Sequence, residues 1–438
     1  MLTHWRDLIR RHFVSSLQQI EQALAVGDVA SAEDDCLALL AGDPNNPDLI
    51  SLLALCDEAR DQPDRALARL ERIRLEHPDN ARAHFHGGRL LLAQGALGEA
   101  EEALLVAATL APNHAPSRHL LGRIAFRNGR LELAIERFKT ALKADASYLP
   151  AHCDLALALT ECGDLNAALD AASHAVTLDD TVAEAHLAMG AVLLSQADWE
   201  RARMHLVKAT DLDPDSTQGL LMLAKVHQMG HEHDQALAAL DRLSGTDKAR
   251  LDARHARALS LLQLGETRLA QTLWEEMVAE SPQVDSVVQL VDVCIHHNDV
   301  EVLERVQRQL HQSETVAPEL EGFVDAVCRA MGDDRLAALE NFQDLTVATS
   351  DPIALRAALW LARLWLERND PAQALSVLSR LQARHSPSPA VRLQMAQIAA
   401  QAGDVNFALD CLDQALSFGP LPGSLEKEIR ALHARLTG

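Results

Sequence analysis

Apolar residues recur along this chain at helical spacing, in runs of three to four turns broken by short polar turns. In one representative stretch, residues 81–94 predict a helix, Gly95 a turn, and residues 98–111 a second helix. Leu91, Leu104 and Leu105 supply large apolar side chains to that pair. Small residues hold fixed places within the pattern. Ala32, Ala66, Ala100, Ala134, Ala168, Ala202, Ala236 and Ala270 follow a stride of 34 without a slip. The stride lapses at Glu304 and resumes at Ala338, Ala374 and Ala408. Twelve residues ahead of it runs a second column: Ala54, Gly88, Gly122, Ala156, Gly190, Ala224, Ala258, Ala326, Ala362 and Ala396. Gly27, Gly95, Gly129, Gly163, Gly265 and Gly403 mark a turn between the two columns, and Pro44, Pro78, Pro112, Pro214, Pro282 and Pro420 close the unit.

Each column has a physical reason. Two helices approach closely only where small side chains occupy the crossing. Glycine ends the first helix because it enters the left-handed region without strain, and proline ends the second because it cannot continue one. The expectation is an all-α chain of antiparallel helix pairs in which each pair packs on its neighbours.

The segment LLGRIAFRNGRLELAIERFKTALKADA, residues 120–146, together with the shared phase over residues 13–422, resembles the tetratricopeptide repeat family. The resemblance implies a right-handed superhelical solenoid of about twelve repeats that binds proteins or peptides on its concave face. This chain departs from the family pattern early in the first helix, where tryptophan gives way to His84, Arg118, His152, His186 or Arg254. The ninth unit places Asp292 and Glu304 where small residues belong, and the polar segment 311–320 follows it. Three regions are therefore expected: a regular array over 1–283, a degenerate repeat and joint over 284–318, and a second array over 319–438. That second array ends in a capping helix over residues 425–436, with Ser424 placed to cap its start. Residues 3–12 should extend the first helix, and residues 385–390 form another soft spot.

Composition sharpens this picture. Hydrophobic residues make up 48% but aromatics only 3%, with Tyr148 the single tyrosine, so the apolar content is mostly alanine and leucine. These favour helix over sheet. Lysine and arginine number 40 against 63 acids, a net charge of −23, which disfavours nucleic acid and anionic membrane as partners. No stretch reaches the ~18–20 apolar residues of a membrane span, and the N-terminus lacks the pattern of a secretory signal. The seven cysteines are scattered without a C-x-x-C pair, as in a reducing compartment. A cytoplasmic protein of bacterial type is expected.

Candidate chemistry is sparse. His231-Glu232-His233 is not an H-E-x-x-H motif and falls in a turn, and the sequence holds none of the glycine-rich phosphate loops or nucleophile elbows. His84, His152 and His186 share one repeat position, but equivalent positions lie roughly 10 Å or more apart, too far to share one metal ion. Neither an enzyme nor a cofactor or metal site is expected.

Function should then lie on the first-helix face that the core leaves free. In the third and fourth units this stripe carries Arg82, Phe85, Arg89, His119, Arg123, Phe126 and Arg127; in the fifth and sixth it turns apolar, with Leu157 and Leu187. Arginine and aromatic residues are enriched at binding hot spots, and arginine forks onto carboxylates. A partner segment with acidic and apolar residues is expected here. The competing reading pairs these arginines with acids on adjacent helices and buries the two phenylalanines. Arg356, Trp360 and Arg363 form a weaker second patch. Two ligand chemistries of the family do not carry over. The chaperone carboxylate clamp uses lysine and asparagine, whereas this stripe has arginine and no asparagine. The asparagine ladder of O-linked N-acetylglucosamine transferase meets Gln18, Leu52, His86, Leu120, Asp154 and Ala188 here. The leading expectation is an adaptor or scaffold; the alternative is a regulatory or targeting subunit for an enzyme on another chain, such as an envelope- or glycan-modifying transferase.

Overall fold

The computed structural model describes residues 17–313, 316–332, 334–348, 351–384, 388–417 and 423–437, and their regular structure is entirely helical. The extension expected over residues 3–12, the soft spot at 385–387 and the side chain of Ser424 lie outside the described residues. The chain divides into two compact units, Met1–Pro214 and Asp215–Gly438.

The first unit begins with a helix over residues 17–25 paired with Val29–Leu40. Five more pairs follow: Pro47–Ala59 with Pro63–Glu76, Ala81–Ala93 with Leu97–Leu110, Ala115–Arg127 with Leu131–Ala144, Leu149–Glu161 with Leu165–Leu178, and Ala183–Ser195 with Trp199–Leu212. In the second unit Thr217–Met229 pairs with the short His233–Asp241, and Gly245–Lys248 adds one turn. The next pairs are Leu251–Gln263 with Thr267–Glu280, Val284–His297 with Val300–His311, and Pro318–Met331 with Arg335–Ala348. Asp351–Glu367 with Pro371–Arg384 and Pro389–Gln401 with Val405–Leu416 complete the series. The last helix, Gly423–Thr437, buries Ile429 and Leu432 and exposes Lys427, Glu428 and Arg430. No described helix is long and apolar enough to cross a membrane.

The alanine column is the second-helix crossing. All eleven of its alanines, from Ala32 to Ala408, are 0% exposed. Opposite it, the glycines of the first helices admit a large neighbour. A Cβ at Gly122 would sit 2.5 Å from the Phe138 ring, one at Gly88 2.7 Å from Leu104, and one at Gly190 2.6 Å from Leu206. Such distances are inside van der Waals contact, so only glycine lets these helices close on those side chains.

The turn position is fixed even where glycine is absent. Seven residues after the first-helix crossing the backbone turns left-handed, with glycine at 27, 95, 129, 163, 265 and 403. Asp61, Ala197, His231, Asn298 and Asn369 take the same conformation at the equivalent places, with φ between 54° and 59°. The next residue caps the second helix. Asp28, Asp164, Asp198, Asp299, Asp334, Asp370 and Asp404 each accept a backbone N–H three residues on. Part of the acid excess therefore serves helix starts, where a carboxylate also meets the positive end of the helix dipole.

The ninth repeat keeps this geometry with its register moved by one residue. Asp292 and Glu304, which the count places at the crossings, are exposed, while Val291 and Leu303 are 0% exposed. Asn298 turns left-handed seven residues after Val291. This helix pair lies inside the second unit, and its apolar residues belong to a core that runs from Ala258 to Leu432.

In four consecutive repeats, the third to the sixth, the column lacking tryptophan fastens the inter-repeat turn, whereas Arg254 meets Glu276 and Glu280 instead. His84 donates Nε2–H to the Pro78 carbonyl at 3.0 Å, His152 to that of Ala146 at 3.0 Å, and His186 to that of Asp180 at 3.1 Å. Arg118 reaches the Pro112 carbonyl with two nitrogens, at 2.9 and 2.7 Å. In these four repeats the acceptor lies six residues back.

Candidate functional site

In the first unit the expected stripe lies along successive first helices. Asn80 accepts from Ala83 N at 2.8 Å and so starts the helix Ala81–Ala93. Arg82 meets Glu21 at 2.8 Å, and Arg89 grips both oxygens of Glu58, one of them at 2.8 Å. Phe85 is half-buried, with its ring edge-on to His114 at 4.6 Å between centroids. Glu21, Ala81, Arg82, Phe85, His86, Ala111 and His114 line a pocket of about 300 Å³. Burial, with Arg89 and Arg82 close by, pushes the His86 imidazole down to about 3. Burial also lowers His114.

One repeat on, His119 is 4% exposed, beneath the face rather than on it. Its Nε2 lies 2.8 Å from Asp154 Oδ2, and Arg123 Nε approaches the same oxygen at 3.6 Å. The His119 ring also lies edge-on to Tyr148, whose hydroxyl is pushed up by burial and then by the nearby Asp154 charge. Arg127 is exposed and reaches the Leu92 carbonyl at 3.5 Å. Phe126, Leu157 and Leu187 are half-buried. Arg82, Arg89 and Arg123 are thus paired with carboxylates from neighbouring repeats, as the competing reading held. Sequence reasoning met Asp154 only as a failed ladder position. It gave no role to His86 or His114.

In the second unit Trp360 and Arg363 line one cleft together with Asp292, and Arg356 is tied to that carboxylate. Arg356 Nε meets Asp292 Oδ2 at 3.1 Å. Although Asp292 is part-exposed, the cleft walls thin the water around its carboxyl and push it up, and Arg356 opposes that shift. Trp360 stacks on the buried Phe342, 5.8 Å between centroids at 7°, so its ring continues the core outward. The Arg363 guanidinium lies 5.2 Å from the Trp360 ring centre and 3.5 Å from Glu367. The cleft encloses about 340 Å³, and one wall presents Gln394, Gln397 and Gln401. These glutamines are exposed, and none hydrogen-bonds among the described residues. Gln397 and Gln401 sit one and five places after Ala396, which are stripe positions, so the sequence could have yielded them. Among the described residues no group of three or more histidine, cysteine, aspartate or glutamate side chains is placed to hold a metal ion.

Models of the tetratricopeptide repeat match residues 23–85, 57–115, 119–183 and 330–389. No curated protein matches the chain. Among solved structures, the Pseudomonas aeruginosa pilF structure is 20% identical, covering 48% of this chain and 96% of that one with a TM-score of 0.42. MamA is 18% identical, covering 37% and 94% with a TM-score of 0.33. YrrB, described as a TPR protein with an unusual peptide-binding site, is 18% identical, covering 46% and 95% with a TM-score of 0.32.

Proposed function

Because the chain belongs to the tetratricopeptide repeat family, we propose that it is a protein-binding scaffold or adaptor whose first-helix face in the first unit receives a partner segment. That segment carries acidic and apolar residues and runs from the arginine-rich third and fourth repeats towards Leu157 and Leu187.

The observation that carries this reading is the state of the arginines. Their ion pairs are half-exposed: the Arg89 and Glu58 side chains are 37% and 27% accessible, and those of Arg123 and Asp154 44% and 29%. Pairs of that kind contribute only about 0–1 kcal/mol to folding. A partner's carboxylate can therefore replace the internal one at little cost, and Phe85 and Phe126 offer apolar area beside it. Arg356, Trp360 and Arg363 form a second candidate surface on the other unit.

The test reverses charge on the face. Partners recovered from native extract are compared between the wild-type chain and Arg89→Glu/Arg123→Glu/Arg127→Glu, with thermal unfolding as the control for folding. Hot-spot arginines contribute ~2 kcal/mol or more each, so the reversal is expected to abolish capture. Equal affinity for both chains overturns the assignment of this face.

A further inference from the structure

The pocket beside Arg82 carries two buried polar atoms with no hydrogen-bond partner among the described residues. Arg82 spends one terminal nitrogen on Glu21 at 2.8 Å, while its other terminal nitrogen is buried without a partner. His86 Nδ1 is likewise buried and unpartnered. Neither ring nitrogen of His86 is held by a hydrogen bond among the described residues, so nothing fixes its tautomer, and Nδ1–H is free to face the pocket. Buried donors are almost always satisfied in folded proteins, and each exception calls for an explanation.

We propose that this pocket is a socket for an aspartate or glutamate side chain of the partner segment, with an apolar neighbour of that residue seated on Phe85 and Ala111. This rests on reading the first-unit face as a partner surface and names the chemistry of one subsite. A carboxylate accepts on both oxygens and donates nothing. One oxygen takes the idle Arg82 nitrogen and the other takes His86 Nδ1–H. Arg82 and Arg89, which together with burial keep His86 neutral, disfavour a cation in the same place. A lone hydroxyl or carbonyl offers a single oxygen to two donors and no charge to the guanidinium. Glu21 shows that the guanidinium donates to a carboxylate, but it occupies only one arm of the fork. The remaining lining, Ala81, Phe85 and Ala111, is apolar and suits the stem and flanking residue. Charged stripe residues continue beyond the socket to Arg89 and Arg123. A segment lying along the stripe therefore has chain on both sides of the seated residue, which selects a side chain over a chain terminus.

Two probe peptides test this on the full chain: acetyl-Leu-Glu-Leu-amide and its uncharged analogue acetyl-Leu-Gln-Leu-amide. Binding is followed by titration on the histidine imidazole resonances, with His86 assigned from His86→Gln. The glutamate peptide is expected to bind about tenfold tighter, a difference of about 1.4 kcal/mol, and to move the His86 resonances. Arg82→Gln should erase the preference. Glu21→Gln, which frees the second arm of the fork, should tighten the glutamate peptide several-fold, a gain that structural damage does not produce. Equal affinities, unmoved His86 signals, or weaker binding in Glu21→Gln overturn the socket. If the socket fails while the triple arginine reversal still abolishes partner capture, the scaffold face stands. If the reversal has no effect, the face falls whatever the peptides do.

Discussion

The two units solve the same packing problem differently. In the first unit the alanine crossings keep one stride of 34 from Ala32 to Ala202. There, glycine at 88, 122 and 190 receives Leu104, Phe138 and Leu206. In the second unit the buried crossings at Ala270, Leu303, Ala338 and Ala374 are spaced by 33, 35 and 36. No glycine stands at its crossings, and the core is built from larger side chains, among them Trp274, Phe323, Phe342 and a run of valines from Val287 to Val293. The first unit depends on exact size at a point. The second rotates a helix by one residue and lets the linking segments absorb the difference. Geometry of the crossing and its turn is conserved between the units, whereas residue count is not.

Acid should separate the units most. Among the described residues, burial lowers His84, His86, His114 and His205 in the first unit, and His233 and His255 in the second. A histidine whose folded value lies below its ordinary 6.5 stays neutral when native and binds its proton only on unfolding. The unfolded chain then holds more protons, so stability is complete above pH 6.5 and falls as pH drops towards the folded value. For His86 alone, each pH unit inside that window removes up to about 1.4 kcal/mol. Hydrogen exchange between pH 6.5 and 5 should show the first unit opening before the second. The reverse order would contradict the comparison.

Size at the crossings comes next. Gly122→Ala puts a methyl against Phe138, which is 1% exposed and cannot move freely. A loss of ~1–3 kcal/mol is expected, read as a fall in the denaturant midpoint of the first unit. An unchanged midpoint would mean that this crossing is as adaptable as those of the second unit.

The smallest effect concerns the turns. Ala197 holds φ 58°, where a Cβ is strained. Ala197→Gly should raise stability by about 1 kcal/mol, while Gly163→Ala, at φ 82° in the neighbouring repeat, should lower it by a similar amount. Melting temperatures that do not move in opposite directions would show that the turn is set by something other than backbone strain.

Much of this architecture was legible in the residues. The alanine column named the buried crossings, and the turn glycines named six of the left-handed positions. Asp61, Ala197, His231, Asn298 and Asn369 escaped notice because the helix pair imposes that conformation on whatever residue stands there. The ninth repeat looked degenerate because Asp292 and Glu304 were read by count; Val291, Asn298 and Leu303 carry the same spacing one place earlier. The candidate face was legible as a stripe but not in its pairing. Glu21 and Arg82 lie 61 residues apart, and no local pattern announces that their side chains meet.

The donors at His84, Arg118, His152 and His186 each tie off a loop that begins six residues before them, so four consecutive repeats are each fastened to the end of the one before. Imidazole and guanidinium serve equally, since the loop asks only for an N–H at the right reach. A joint that asks for one donor and a backbone carbonyl can be repeated wherever another helix pair carrying that donor is added. That modularity gives a solenoid of this type a way to change length while keeping its joints intact.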